Sequence, residues 1–241
     1  DPKIVPSLID LYGDAFEAAY AEAEEKQLYV RQIKARDLYA RMMKCLAETG
    51  NGWMTFKDRC NLTSNQTGVG HNVVHSSNLC TEIVEVTSSA ETAVCNLGSI
   101  NLARYVDKGE FDFKKLAANV EMAVRYLDRV IDTNFYPIPG AEASNQRWRP
   151  VGLALMGLQD LAFQLRLPFD DPKMKSLSRD IQEEIYFHAL WASCELAQQF
   201  GPHPAFSETR AAQGVLQWKS WGIAPKDEER WDGLVERIKT T

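Results

Sequence analysis

The sequence has no run approaching the ~20 consecutive apolar residues that a helix needs to cross a bilayer, and its first residues, Asp-Pro-Lys-Ile-Val-Pro, supply neither a basic nor an apolar targeting segment. A membrane-spanning or secreted chain is therefore not expected, and the compartment reads as cytoplasmic. Positive charge is scarce. The 27 Lys and Arg are outnumbered by 33 Asp and Glu, for a formal net charge of −6. This removes any general electrostatic reason to bind nucleic acid or an acidic membrane surface, and neither is expected as a partner. Paired cysteines are absent too. Cys45, Cys60, Cys80, Cys95 and Cys194 are odd in number, widely spaced and never in a C-x-x-C arrangement, which argues against a disulfide framework or a zinc ribbon. No metal is expected in this chain. Internal repeats and low-complexity tracts are also missing.

What is present is an ordinary globular balance, 45% apolar and 25% charged over 241 residues, long enough for one large domain or two modest ones. Asp1 at the start, and Lys239-Thr240-Thr241 just past a helical pattern with no terminator, suggest an excerpt of a longer chain. Up to about residue 60 the pattern is helical, with Ala35, Leu38, Met42, Cys45 and Leu46 at three- and four-residue spacing before Gly50-Asn51-Gly52. Residues 61–79 are polar and read as a long irregular connection, a type that is often functional. Strands are expected at Thr81–Thr87 and within Ala93–Leu102. From Asp112 the helical period returns through Ile131. A short apolar helix is expected around Met156 to Leu165, a long one from about Lys173 to Gln199, and a last one near Leu234 to Ile238. The expected organisation is a helical segment 1–60, a loop with short strands 61–104, and a helical part 105–241.

Chemistry concentrates in Ser77-Asn78-Leu79-Cys80-Thr81-Glu82-Ile83. If this stretch is extended, Asn78, Cys80 and Glu82 share one face at steps of roughly 6.6 Å. An amide, a sulfur and a carboxylate would then address one small substrate: a hydrogen-bond donor, a thiol for covalent or radical chemistry, and a general base. A lone cysteine is more often a small buried hydrophobe, so spacing alone leaves both readings open. Cys95, in Ala93-Val94-Cys95-Asn96-Leu97-Gly98, permits a two-thiol site without proving one. His71 and His75 read as solvated loop histidines, Arg147 and Arg149 as partners in salt bridges, and Cys45 and Cys194 as structural. Cys45 falls on an apolar helix face.

The words Asn78-Leu79-Cys80-Thr81-Glu82-Ile83 and Ala93-Val94-Cys95-Asn96-Leu97-Gly98-Ser99 resemble the core of the large, catalytic subunit of class I ribonucleotide reductase. The likeness extends through Lys57-Asp58-Arg59-Cys60-Asn61, Ser64-Asn65-Gln66, Ser144-Asn145-Gln146-Arg147, Arg149-Pro150-Val151-Gly152-Leu153, Ala192-Ser193-Cys194-Glu195-Leu196-Ala197 and Gly201-Pro202, so nearly the whole chain is covered. The resemblance implies an α/β fold, part of a ten-stranded α/β barrel, with this segment mostly helical and a few short strands around the catalytic loop.

It also implies the roles. Cys80 matches the thiyl-radical cysteine, Glu82 the carboxylate that takes the 3′-hydroxyl proton, and Asn78 the amide that holds that part of the sugar, so the three are expected to bind substrate as well. Cys95 matches one member of the redox-active pair. No cofactor is expected on the chain itself. The resemblance instead implies a radical from a metal-containing small subunit, ribonucleoside diphosphate as substrate, thioredoxin or glutaredoxin as reductant, nucleotide effectors at sites outside this chain, and a large-subunit homodimer in the full-length protein. The sequence departs from the family in lacking a motif-matched partner for Cys95, the phosphate-binding Pro-Thr-Ala segment, the tyrosine pair of the radical path and the C-terminal cysteines. The isolated fragment is expected to be inactive. An adenosylcobalamin-dependent class II reductase, which Cys95 through Leu102 also resembles, and a non-catalytic assembly module are the alternatives.

Overall fold

A helix forms where an apolar stripe recurs every three or four residues and a cap starts or ends it. The computed structural model describes residues 1 and 3–241 and divides into two units, Asp1–Ser88 and Ser89–Thr241. The first holds a 3-10 turn at Pro6–Asp10, α1 (Gly13–Glu25), α2 (Ala35–Thr49), α3 (Lys57–Thr63) and a 3-10 turn at Asn65–Thr67. Gly50 ends α2 with φ +69°, its N–H donating to the Leu46 carbonyl at 2.9 Å, a left-handed cap that glycine adopts without a Cβ penalty.

Neither α1 nor α2 buries a residue: Phe16, Tyr20, Leu38, Tyr39 and Met42 are all exposed. Cys45, expected to be structural, is exposed, as are Leu38 and Met42 on the same face. The start of α3 anchors the chain entering α1. The Lys57 ammonium donates to the carbonyls of Ile9 and, at 3.0 Å, Leu11, while Asp58 Oδ1 accepts from Gly13 N–H at 2.9 Å. Burial pulls the Lys57 pKa below its ordinary value, against the opposing attraction of Asp10 and Asp58.

Residues 81–87, expected as a strand, are irregular. Several of their backbone groups are taken by side chains: Val84 O accepts from Ser64 Oγ at 3.0 Å, and Val86 N–H donates to Gln66 Oε1 at 2.7 Å. A β-branched composition marks a residue that suits a pleated surface, and among the described residues no strand pairs with this segment.

The second unit begins with β1 (Leu97–Asn101) and a hairpin of β2 (Val106–Asp107) and β3 (Glu110–Phe111), turned by Lys108 and Gly109, both at positive φ. Then come α4 (Phe113–Thr133), α5 (Pro139–Trp148), β4 (Gly152–Met156), α6 (Leu158–Leu165), α7 (Pro172–Phe200), α8 (Gln217–Ser220) and α9 (Glu228–Thr240). Aspartates cap three of these helices: Asp112 accepts from Lys115 N–H, Asp171 from Lys173 N–H and Asp227 from Arg230 N–H.

β1 and β4 pair in parallel, Leu97 opposite Gly152 through Asn101 opposite Met156, so the chain between them is a crossover containing helices, the repeating unit of α/β folds. β4 corrects the expected helix start near Met156. That helix begins at Leu158, after Gly157 at φ +76°, because a five-residue apolar run does not separate strand from helix by periodicity. A Cβ on Gly152 would lie 2.6 Å from Leu97 Cδ2, so a larger residue there would push the exposed Leu97 side chain aside. Leu102, Leu116, Val120, Leu161, Met174 and Ile181 centre one core. Phe187, Cys194, Trp231, Leu234 and Ile238 centre a second, with α7 lining both.

Candidate functional site

The segment carrying Asn78, Cys80 and Glu82 is a tight turn, which corrects the extended geometry from which a shared face was expected. Thr81 N–H donates to Asn78 O at 3.1 Å, and Thr81 sits at φ +65°, a left-handed conformation unusual for a β-branched residue. The turn brings the amide and the carboxylate closer than an extended run allows. Asn78 Nδ2 donates to Glu82 Oε1 at 2.7 Å, whereas four extended steps would separate them by roughly 13 Å.

The other end of the Asn78 amide is fixed as well, since Oδ1 accepts from Ile83 N–H at 3.1 Å and from Ser77 Oγ at 3.3 Å. Ser77 Oγ also donates to Ile83 O at 2.7 Å, closing the base of the turn. Cys80 stands exposed at the tip between Asn78 and Glu82. Chemically, the turn offers an exposed sulfur and, two residues on, a proton acceptor whose orientation is set by a neutral amide.

Below the turn lies a set of residues that the chemistry-led reading passed over. Asn61, fully buried, donates to Lys57 O and Val74 O and accepts from Val74 N–H at 2.8 Å. With Ser64 and Gln66, which follow α3, it ties Val74, Val84 and Val86 to this stretch. Their only signal in the sequence is that they recur among the words of the family resemblance. His75 is not the solvated loop residue expected: Nδ1 lies 2.8 Å from Thr87 Oγ1 and Nε2 lies 2.9 Å from Asp10 Oδ1. A cavity of about 210 Å³ borders it, lined by Trp53, Thr55, Lys57, Cys60, Val74 and Ser76 in addition to His75.

Cys95 belongs to the second unit, two residues before β1, and is exposed. Its neighbour Asn96 is buried, and Asn96 O accepts from Gly152 N–H at 2.9 Å, extending the β1–β4 ladder toward the cysteine. Arg147 and Arg149 are ion-paired. Arg147 chelates Glu91 and Glu208, and Arg149 chelates Asp128 and Asp132, with Asp132 held below its ordinary pKa chiefly by the Arg149 hydrogen bond. Cys194 is buried, and desolvation raises its pKa. Among the described residues no group of three or more His, Cys, Asp or Glu is arranged to hold a metal ion, and no helix is long and apolar enough to cross a membrane.

The model of the family described as ribonucleotide reductase, barrel domain, matches residues 1–241. The chain is 43% identical over 237 residues to the ribonucleoside-diphosphate reductase large chain of Schizosaccharomyces pombe, covering 98% of this chain and 29% of that protein. It is 42% identical over 239 residues to the large subunit of variola virus, covering 99% and 31%. It is 41% identical over 238 residues to the large subunit of Danio rerio, covering 98% and 30%. The chain thus spans about 30% of the length of these relatives. With the family model matched from end to end, it belongs to the ribonucleotide reductase barrel-domain family.

Proposed function

We propose that this chain is the catalytic centre of a ribonucleoside-diphosphate reductase large subunit, replacing the 2′-hydroxyl of a ribonucleoside diphosphate with hydrogen. The observation that carries the reading is the 2.7 Å hydrogen bond from Asn78 to Glu82 with Cys80 exposed between them. The names of the relatives support the large-subunit reading over the cobalamin-dependent one.

In the proposed reaction a thiyl radical on Cys80 takes the 3′-hydrogen atom of the ribose, while Glu82 accepts the 3′-hydroxyl proton. Radical character at the carbon makes that hydroxyl more acidic, so a carboxylate already oriented by an amide suffices as the base. The 2′-hydroxyl leaves as water with a proton from the thiol pair. That pair, Cys95 and a second cysteine, gives two electrons and becomes a disulfide, and Cys80 returns its hydrogen atom to the 3′ carbon. The net change is ribonucleotide plus dithiol to deoxyribonucleotide, disulfide and water.

The radical comes from a metal-containing small subunit, and thioredoxin or glutaredoxin re-reduces the disulfide by thiol exchange. The full-length subunit works in the cytoplasm as a homodimer, with nucleotide effectors bound outside this chain. Deoxynucleotide formation by the full-length subunit with its small subunit tests the proposal. Cys80→Ser is expected to reduce turnover to background, and Glu82→Gln to lower kcat by about 10²–10⁴-fold. A Cys80→Ser enzyme that still makes deoxynucleotide would overturn the radical assignment. Turnover driven by adenosylcobalamin without a small subunit would favour the class II reading.

A further inference from the structure

The segment that delivers Cys95 to β1 is strapped to α5 at three points. Near its start, Glu91 receives two hydrogen bonds from Arg147 Nη1, at 2.9 and 3.1 Å. One residue on, Thr92 N–H donates to Gly140 O at 3.0 Å, and the approach is close enough that a Cβ on Gly140 would lie 3.2 Å from Ala90 O. Immediately after the cysteine, Asn96 Nδ2 donates to Asn145 Oδ1 at 2.7 Å and to Pro150 O at 2.9 Å.

The anchors are themselves fixed. Asn145 is fully buried and donates to the Tyr136 hydroxyl, which donates to Ile131 O at 2.6 Å. Arg147 uses its other terminal nitrogen on Glu208, at 2.7 and 2.8 Å, so it is held from both sides. Only residues 93–95 lie between the second and third ties, with exposed Cys95 at their end.

We propose that α5 is the positioning element of the Cys95 thiol, with Asn145 and Arg147 as positioning residues that hold the strap where Cys95 can close a disulfide. This rests on the reading of Cys95 as half of the redox pair. A disulfide tolerates only Cα separations of about 4.4–6.8 Å. A loose strap would satisfy that for a small fraction of the time, and disulfide closure would weaken by that fraction. The step is the two-electron oxidation of two thiols to a disulfide, with two hydrogens passing to the substrate side or to an exchanging disulfide of the thioredoxin class. The strap alters its equilibrium, not its stoichiometry.

The test is the reduction potential of the Cys95 disulfide in the whole reductase, equilibrated against thioredoxin. Asn145→Ala is expected to lower the equilibrium constant for disulfide closure about tenfold, a rise of ~30 mV. Glu91→Gln should give a smaller rise, and KM for the nucleoside diphosphate should stay at the parental value in both. Protection of buried Cys194 from alkylation reports that each variant is folded, and if Asn145→Ala loses it, Glu91→Gln decides. Parental potentials in the folded variants overturn the proposal. Cys95→Ser turning over at the parental rate would instead sink the reading of Cys95, so the two failures are told apart.

Discussion

The two units hold irregular chain by opposite means. Among the described residues of the first, the buried side chains are Asn61, Ser64, Gln66, Thr67 and Asn72 with only Val73, Val74 and Val86, and no helix residue before α3 is buried. Its loops are fastened by directed hydrogen bonds from side chains to backbone. The second unit buries Leu116, Val120, Val124 and Ile131 of α4 against Met174, Ile181 and Ile185 of α7 and their neighbours, an apolar core that is strong but undirected. Apolar burial makes a unit stable, whereas amide ties set where particular atoms stand. The turn of Asn78 and Glu82 sits on the second kind of support, and the Cys95 strap combines both.

The largest effect expected from this contrast is in the second unit. Leu116→Ala, at a fully buried position, should lower the unfolding free energy by about 2–5 kcal/mol in urea titrations followed by tryptophan fluorescence. Asn61→Ala should cost about 1–3 kcal/mol, because it removes the side-chain partner of both the Val74 N–H and the Val74 carbonyl. The cost should also be local. Hydrogen exchange at Val74 should accelerate while amides of α4 and α7 keep their protection. If Asn61→Ala instead unfolded α4 and α7 with it, the two units would be one cooperative body and the contrast would fail.

The same contrast explains what was legible in the sequence. α4 and α7 were readable because an apolar stripe of period 3.6 is the direct record of an undirected core. α9 was read only from Leu234 to Ile238, since its first turn, Glu228-Glu229-Arg230, is charged and the stripe starts at Trp231. β4 was hidden by its length. In the first unit the residue types of the site were legible and their geometry was not. Thr81 carries the composition of a strand and the backbone of a left-handed turn. Directed ties leave no period, so Asn61, Ser64 and Gln66 were visible only as parts of a resemblance.

Acid should separate the units next. In the second, Glu184 is held below its ordinary pKa chiefly by the hydrogen bond from Arg230, and Asp132 by that from Arg149. Each contributes stability that is fully present above the unfolded-state pKa, about 4, and is lost as pH falls through the lower folded value. His203 adds to this at higher pH. Burial lowers its pKa, so the fold favours the neutral ring, and stability declines as pH drops below about 6.5 toward the folded value. In the first unit the lowered carboxylate among the described residues is Glu22, fully exposed beside Lys26. Between pH 7 and pH 3, hydrogen exchange should therefore accelerate in α7 and α9 relative to its change at Val74. The reverse order would place the pH-sensitive stability in the amide ties.

The smallest effect expected is the one that most sharpens the comparison. Leu38 of α2 is 41% exposed on a helix that buries nothing, so Leu38→Ala should change the stability of the 241-residue chain by no more than ~0.5 kcal/mol. Alanine keeps the helix propensity, which isolates the side chain's packing as the only quantity tested. A cost matching that of Leu116→Ala would mean that the apolar face of Leu38 and Met42 is covered in solution. The first unit would then owe its stability to burial like the second, and its amide ties would position the turn without holding the unit together.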